Sequence, residues 1–309
     1  MDTADPSGVV AAGTILWRTA LGTAEYIGGL DQGTPLGVLS TPILDRTANP
    51  PTLYITAADA SDVWQAFAID VTSGEVLSGW PVRIDLAKVS SLDVNGPVGG
   101  VAPPMAPASV ESQRAALALS NGVLYLGFAS YYDGAIGWMV AVDVSSKSIL
   151  ASFSGSPALV TPPPDDPGNF ASAGMWGAGG PAVARDGRIF VTTGNSPAGS
   201  AASRGVWGNS LLAFNPNLTL SATYSPFNYC LMDLGDTDFG GSSPSLLDLD
   251  PTLTSTPHLA VLGGKQGVVY LVDRDHLGGT VARPACDAVA ATEDPSSDTS
   301  LFGPDVHPE

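Results

Sequence analysis

The stretch MVAVD at residues 139–143 is a short apolar strand that ends on an acidic turn residue, and it decides the fold because it recurs. The same pattern is found as AFAID at 66–70, as LLAFN at 211–215 and as VYLVD at 269–273. The closing residues of these stretches lie 58 to 73 residues apart; they are Asp70, Asp143, Asn215 and Asp273. Their recurrence in every unit predicts a structural role, with each side chain capping the turn that follows.

Two further short strands precede each of these stretches. The first is predicted at 40–44, 115–119, 180–184 and 243–247, and the second at 53–56, 123–127, 188–192 and 258–262. In three units a fourth strand follows and ends in an aromatic residue, which is Trp80, Phe153 or Tyr224. Four strands per unit at such a period are typical of propeller blades. The sequence therefore predicts an all-β fold, a β-propeller of four-stranded antiparallel blades with about four blades present.

The repeat runs almost end to end, so residues 1–309 are interpreted as a single, partial propeller. The blades are predicted at 38–93, 101–160, 174–227 and 238–279. Residues 1–37 are interpreted as the end strand of a preceding blade, at 14–21, plus a loop, and residues 280–309 as an irregular tail. Because the fourth unit lacks a clear final strand, we expect an incomplete segment of a propeller with seven or eight blades.

Composition narrows the possible functions. The 36 glycines and 26 prolines leave little room for helices, because glycine costs backbone entropy in a helix and proline removes a backbone hydrogen bond. A net charge of −18 without a basic stripe predicts that the chain does not bind nucleic acid, since it would repel phosphate. No run of 18 apolar residues is present, so no membrane span is predicted, and the first residues lack the features of a signal peptide.

The cysteines and histidines give weaker signals. Cys230 and Cys286 are the only cysteines, and their spacing leaves open whether they pair, although two lone cysteines are more often unpaired or buried. The three histidines are scattered along the chain, and no cluster of cysteine and histidine has the spacing of a zinc site.

Residues 174–274 carry motifs that are more specific than the repeat. They are MWGAGGPAV at 175–183, RIFVTTGN at 188–195, DTDFGG at 236–241 and GKQGVVYLVDR at 264–274. In their order and approximate spacing, these motifs resemble the PQQ-type propellers, the quinoprotein alcohol dehydrogenase-like β-propeller family. The resemblance covers roughly residues 38–279 and is more specific in the last two units than in the first two.

The resemblance implies a site for pyrroloquinoline quinone, held flat near the propeller axis on a tryptophan that Trp176 matches. It also implies a Ca²⁺ or lanthanide ion held by a Glu, an Asn and an Asp. Asn195 matches that Asn, and Asp238 matches an acidic metal ligand. Asp236 or Asp238 matches the general base, and Lys265 matches the basic residue that hydrogen-bonds the quinone oxygens.

Two features depart from the family pattern. The metal-binding Glu has no counterpart, and the nearest acidic residue to its expected place is Asp133, whose side chain is one carbon shorter. The pair of adjacent cysteines expected beside the quinone is also missing. The same residues have structural interpretations: Trp176 as a core aromatic, Asn195 and the 236/238 pair as turn residues, and Lys265 as a solvated turn tip.

Two functions follow. The first is an oxidoreductase domain that oxidises an alcohol or sugar through a quinone cofactor and a bound metal. The second is a cofactor-free propeller that acts as a ligand- or protein-binding scaffold. In both cases the family resemblance implies a periplasmic or secreted protein.

Overall fold

The computed structural model describes residues 13–23, 36–86, 105–130, 135–156, 173–196, 206–226 and 228–278. These residues form four antiparallel sheets in chain order. The first sheet contains β1 (Ile43–Asp45), β2 (Thr52–Ala58), β3 (Trp64–Asp70) and β4 (Val82–Arg83). The second contains β5 (Glu111–Ser112), β6 (Ala118–Ser120), β7 (Val123–Ser130), β8 (Trp138–Asp143) and β9 (Ser148–Ser154).

The third sheet contains β10 (Ala182–Val183), β11 (Ile189–Thr192), β12 (Leu211–Phe214) and β13 (Leu220–Tyr224). The fourth has three strands, β14 (Ser245–Asp248), β15 (His258–Gly263) and β16 (Val269–Asp273). Between the third and fourth sheets lie one short helix, α1 (Tyr229–Leu234), and a single 3₁₀ turn (Phe239–Gly241). The predicted pattern of short antiparallel strands with few, short helices is confirmed. In the described part of the chain, no helix has the length and apolar character needed to cross a membrane.

The first strands of consecutive sheets lie side by side. β1 contacts β6, β6 contacts β10, and β10 contacts β14. Backbone hydrogen bonds join the segments that lead into these strands, with Leu117 N donating to Thr41 O and Ala116 N to Ala178 O, each at 3.1 Å. Successive sheets therefore pack face to face along their inner edges, which is the arrangement of propeller blades.

Burial follows this stacking. β8 and β11 are buried along nearly their whole length, because neighbouring sheets cover both of their faces. β16 instead alternates: Tyr270 and Val272 are buried in a cluster shared with the third sheet, whereas Val269 on the opposite face is 74% exposed. Among the described residues, the fourth sheet is thus covered on one face.

The recurring polar residues at the third-strand ends cap turns, as the sequence predicts. Asp70 Oδ1 accepts a hydrogen bond from Thr72 N, and Asp143 Oδ1 accepts one from Ser146 N. Asp273 does the same for Asp275 N. The Thr72 hydroxyl and then its N–H lower the pKa of Asp70, and the hydrogen bond from Ser146 N lowers the pKa of Asp143.

Three details of the sequence interpretation need correction. Residues 14–21 form no strand. Instead Trp17 packs on the first sheet against Phe67 and Ile69 and donates from Nε1 to Val71 O at 2.8 Å. Trp80 lies in the turn before β4 rather than at the end of a strand.

Cys230 in α1 is disulfide-bonded, so the general expectation of an unpaired thiol is wrong for this residue. The sequence contains one other cysteine, Cys286, which lies outside the described residues. The predicted blade boundaries and the predicted tail at 280–309 stay predictions, because residues 279–309 also lie outside them.

Candidate functional site

Five residues singled out in the sequence lie together between the third and fourth sheets. Lys265 Nζ is 2.6 Å from Asp238 Oδ2 and 3.1 Å from Asp236 Oδ1. Asp238 Oδ1 accepts a hydrogen bond from Asn195 N at 2.7 Å. Lys265 Nζ also lies 5.8 Å from the centroid of the Trp176 ring. The sixth residue, Asp133, lies outside the described residues.

Asp238 is the centre of this cluster. Its side chain is buried, and its two carboxylate oxygens bind different donors, one from the third sheet and one from the β15–β16 turn. The backbone holds the same position, because Lys265 N donates to Asp238 O at 2.9 Å. The carboxylate is therefore fixed from two sides.

Lys265 joins the buried and exposed parts of the cluster. Its side chain is 39% exposed, and its ammonium also donates to the backbone oxygen of Asp236 at 3.1 Å. Burial on its own would lower the pKa of Lys265, but hydrogen bonds and charge from Asp238 and Asp236 outweigh it and raise that pKa above the usual value. Lys265 is thus a permanent cation at neutral pH, not the free tip of a turn.

Asp236 lies at the rim of the site. Its side chain is 67% exposed, and its backbone is left-handed with φ of 48°. Aspartate tolerates this conformation better than most residues, which fits a position between α1 and the 3₁₀ turn. Of the two acidic residues, Asp238 is the one enclosed by the protein.

Trp176 is half-buried, and its contacts are not those of a core aromatic. It belongs to none of the three clusters of buried apolar side chains. The guanidinium of Arg114 lies 4.8 Å from its ring centroid, and Arg114 Nε donates to Trp176 O at 3.3 Å. One indole is therefore flanked by two cations, Arg114 and Lys265.

Two glycines allow the site segments to approach closely. A Cβ at Gly194 would lie 2.7 Å from Trp176 Nε1 and 3.2 Å from Asp238 Oδ1. A Cβ at Gly240 would lie 2.5 Å from the carbonyl carbon of Thr193. The Thr-Gly-Asn motif and the 236–241 loop can share this space because neither glycine carries a side chain.

Asn195 is buried and lies three residues after the end of β11. Its backbone is fully engaged, with its N–H on Asp238 and its carbonyl accepting from Ala173 N at 3.0 Å. Its carboxamide makes no hydrogen bond within the part of the chain that the structure describes. That group is therefore available to a ligand.

Sequence reasoning missed two residues, Arg114 and Glu111. Glu111 in β5 is fully buried, and neither carboxylate oxygen has a hydrogen-bond partner among the described residues. Burial raises the pKa of Glu111 well above its usual value. The local sequence around Glu111, which includes Gln113 and Arg114, carries no pattern that marks this residue as buried.

β5 connects to the site through the second sheet. Glu111 pairs with Ser130 at the end of β7, and Phe128 O in β7 accepts from Met175 N, next to Trp176. Gly174 O in turn accepts from Gly194 N at 2.8 Å, next to Asn195. The unpaired carboxylate thus lies on a strand that is linked to both the Trp176 and the Asn195 segments.

Comparison with solved structures identifies the architecture. A europium-containing methanol dehydrogenase is 16% identical, with a TM-score of 0.51 over 77% of this chain and 40% of that chain. The fold is a β-propeller fold like that of this dehydrogenase. The predicted resemblance to this family is therefore confirmed at the level of the fold, and the chain spans less than half the length of that structure.

Two quinohemoprotein alcohol dehydrogenases are also similar in structure to this chain. One, from Pseudomonas putida HK5, is 15% identical over 76% of this chain and 33% of that chain, with a TM-score of 0.48. The other, from Comamonas testosteroni, is 14% identical over 77% of this chain and 41% of that chain, with a TM-score of 0.41. No protein-family model and no curated protein sequence matches the chain.

Proposed function

We propose that this propeller is the cofactor-holding part of an oxidoreductase that oxidises an alcohol or sugar, using pyrroloquinoline quinone and Ca²⁺ or a lanthanide. The observation that carries the proposal is the meeting of Trp176, Asn195, Asp238 and Lys265 around one buried carboxylate. These residues come from four separate segments of the chain, and each has a distinct use in such a site.

The polar groups fit a hard cation. Asp238, the carboxamide of Asn195 and the unpaired carboxylate of Glu111 would supply the oxygen atoms that Ca²⁺ and lanthanides prefer. A buried carboxylate without a partner is costly unless a cation compensates it. Among the described residues, no three Asp, Glu, His or Cys side chains form a ready ligand set. Asn195 is therefore an essential donor in this proposal.

The indole and its cations fit the quinone. A flat, electron-poor ring gains about 0.5–1.5 kcal/mol from stacking on an aromatic face beyond its buried area. Arg114 and Lys265 lie within 6 Å of the Trp176 ring, where they would bind the anionic edge of such a cofactor. When bound, the quinone and its metal supply hydride acceptance and Lewis-acid polarisation.

The chain itself supplies proton handling and charge control. Asp238 Oδ2 would accept the proton of the substrate hydroxyl, because it is the enclosed carboxylate and its donor is the mobile end of a lysine side chain. Lys265 would hold negative charge that develops on an oxygen within its reach. Asp236, exposed at the rim, would tether Lys265 when its ammonium leaves Asp238.

The disulfide at Cys230 supports a location outside the cytoplasm, since disulfides persist in oxidising compartments. We propose the periplasm or the extracellular space. In this proposal the protein binds a small alcohol or sugar as its substrate and does not bind nucleic acid.

Binding of terbium(III) alone tests the metal site, with the indole of Trp176 as the sensitiser of luminescence. Glu111→Gln should lower terbium affinity by about tenfold or more, because a charged oxygen ligand is lost. The same substitution should raise the stability of the metal-free protein, because it removes an unpaired buried carboxylate. Glu75→Gln, at an exposed position, is the matched control.

Addition of pyrroloquinoline quinone with Ca²⁺ or terbium then tests the cofactor. In the wild type, we expect a shift in the absorbance of the bound quinone and reduction of a dye when an alcohol is added. Both signals should be lost in Trp176→Ala. Absence of both terbium and quinone binding would refute the oxidoreductase proposal and leave the scaffold function.

A further inference from the structure

We propose that Asn209 and Asp233 are positioning residues that set the spacing between Asn195 and Asp238. The inference rests on the proposed function, because it concerns the geometry of the same candidate metal site. Neither residue belongs to a motif of the family resemblance. Both are buried, and together they hold the backbone on both sides of Asn195 and on one side of Asp238.

Asn209 uses its backbone N–H and both polar atoms of its carboxamide for this purpose. Its backbone N–H donates to Gly194 O at 2.7 Å, next to Asn195. Its side-chain Oδ1 accepts from Phe239 N at 2.8 Å, next to Asp238. Its Nδ2 donates to Asp233 Oδ1 at 2.8 Å. Asn209 thus connects the Gly194 segment through its backbone, and the 236–241 loop and α1 through its side chain.

Asp233 closes the arrangement from α1. The same Oδ1 that binds Asn209 also accepts from Ser196 N at 2.8 Å. Asn195 is therefore held on both sides, at Gly194 by Asn209 and at Ser196 by Asp233. The direct hydrogen bond from Asn195 N to Asp238 Oδ1 completes a closed ring of contacts.

The backbone of Asn209 indicates that its side chain is selected for this task. Its φ is 46°, a left-handed conformation that glycine adopts most readily and that asparagine tolerates. Glycine at this position would keep the backbone and lose all the side-chain contacts. Metal ligands must be held within a few tenths of an ångström, and loss of an outer-layer contact typically lowers metal affinity by about 10–100-fold.

The test uses the full chain and terbium(III) as the probe. Asn209→Gly removes the carboxamide without backbone strain and should weaken terbium binding by about 10–100-fold. Asp233→Asn keeps an oxygen acceptor and should retain affinity within about threefold, whereas Asp233→Ala should not. Asn121→Gly is the matched control, because Asn121 has φ of 49° in the exposed turn between β6 and β7.

A metal-free measurement separates this inference from the proposed function. Hydrogen exchange of the Asn195 amide should be about tenfold faster or more in Asn209→Gly and unchanged in Asn121→Gly. If the wild type binds no terbium, the proposed function fails, and this exchange rate alone decides the positioning role. Wild-type exchange at Asn195 in Asn209→Gly, or terbium affinity within threefold of wild type, would overturn the inference.

Discussion

Replacing Asp238 by asparagine should destabilise the metal-free protein, although the two side chains have nearly the same shape. The carboxylate accepts hydrogen bonds on both oxygens, from Asn195 N and from Lys265 Nζ. An asparagine side chain has one acceptor oxygen and an NH₂ group. In either orientation of the amide, a donor therefore faces a donor.

The cheaper orientation keeps the oxygen on the buried Asn195 N–H, because an unpaired buried donor costs about 1–3 kcal/mol. Lys265 then loses its charged hydrogen bond. Because Lys265 is 39% exposed, its ammonium can turn to water or to Asp236, and the loss is screened. We expect Asp238→Asn to lower the free energy of unfolding by about 1–2 kcal/mol.

The matched control is Asp236→Asn, which removes the other carboxylate from the same lysine. Asp236 is mostly exposed, and asparagine tolerates its left-handed backbone, so the expected loss is below about 0.5 kcal/mol. Urea unfolding, followed by tryptophan fluorescence in the presence of a chelator, measures both variants. Equal stabilities of the two variants would refute the assignment of Asp238 as the buried centre of the site.

Three further predictions concern the fourth sheet and α1. Arg188 donates hydrogen bonds to Asp186, to Asp275 and to the carbonyl of Arg274. Arg188→Ala should therefore lower the free energy of unfolding in urea by about 1–3 kcal/mol. Arg185→Ala should lower it by less than about 0.5 kcal/mol, because the Arg185 side chain is 89% exposed. Asp273 raises the pKa of His276, so this pair stabilises the fold below pH about 6.5 and loses that effect as pH rises through the raised pKa. His276→Gln should reduce this loss of stability in melting curves recorded between pH 6 and 9. An unchanged dependence of the melting temperature on pH would contradict this prediction. Cys230→Ser should lower the free energy of unfolding by about 2–5 kcal/mol, and a wild-type melting temperature would show that the cross-link does not stabilise the fold.

The second and third strands of each unit could be located from sequence to within a few residues. These strands are buried runs of apolar residues, so their limits are set by where apolar character ends. The first strands were harder to place. In the second sheet the first strand is split into β5 and β6, because the Gln113 side chain donates to Ala115 O and Gly127 O between them. No local pattern predicts such a break.

The candidate site shows the same limit. Trp176, Asn195, Asp238 and Lys265 were found because their motifs resemble those of a known family. Glu111 and Arg114 were not found, since their interest comes from tertiary structure: one is a buried carboxylate without a partner, and the other lies over an indole 62 residues away in sequence. α1 has six residues, fewer than two helical turns, which is too short for an apolar period to be visible.

Apart from Glu111 and Arg114, the candidate site residues that the structure describes come from one continuous stretch of sequence, from Trp176 to Lys265. This stretch consists of the third sheet, α1 and the first half of the fourth sheet. These residues are brought together by closing loops within one stretch of sequence, not by a contact between the two ends of the chain. The conformational entropy lost when the site forms is therefore modest. The relative placement of Trp176, Asn195, Asp238 and Lys265 therefore depends on two neighbouring sheets, and Glu111 and Arg114 tie this arrangement to the second sheet.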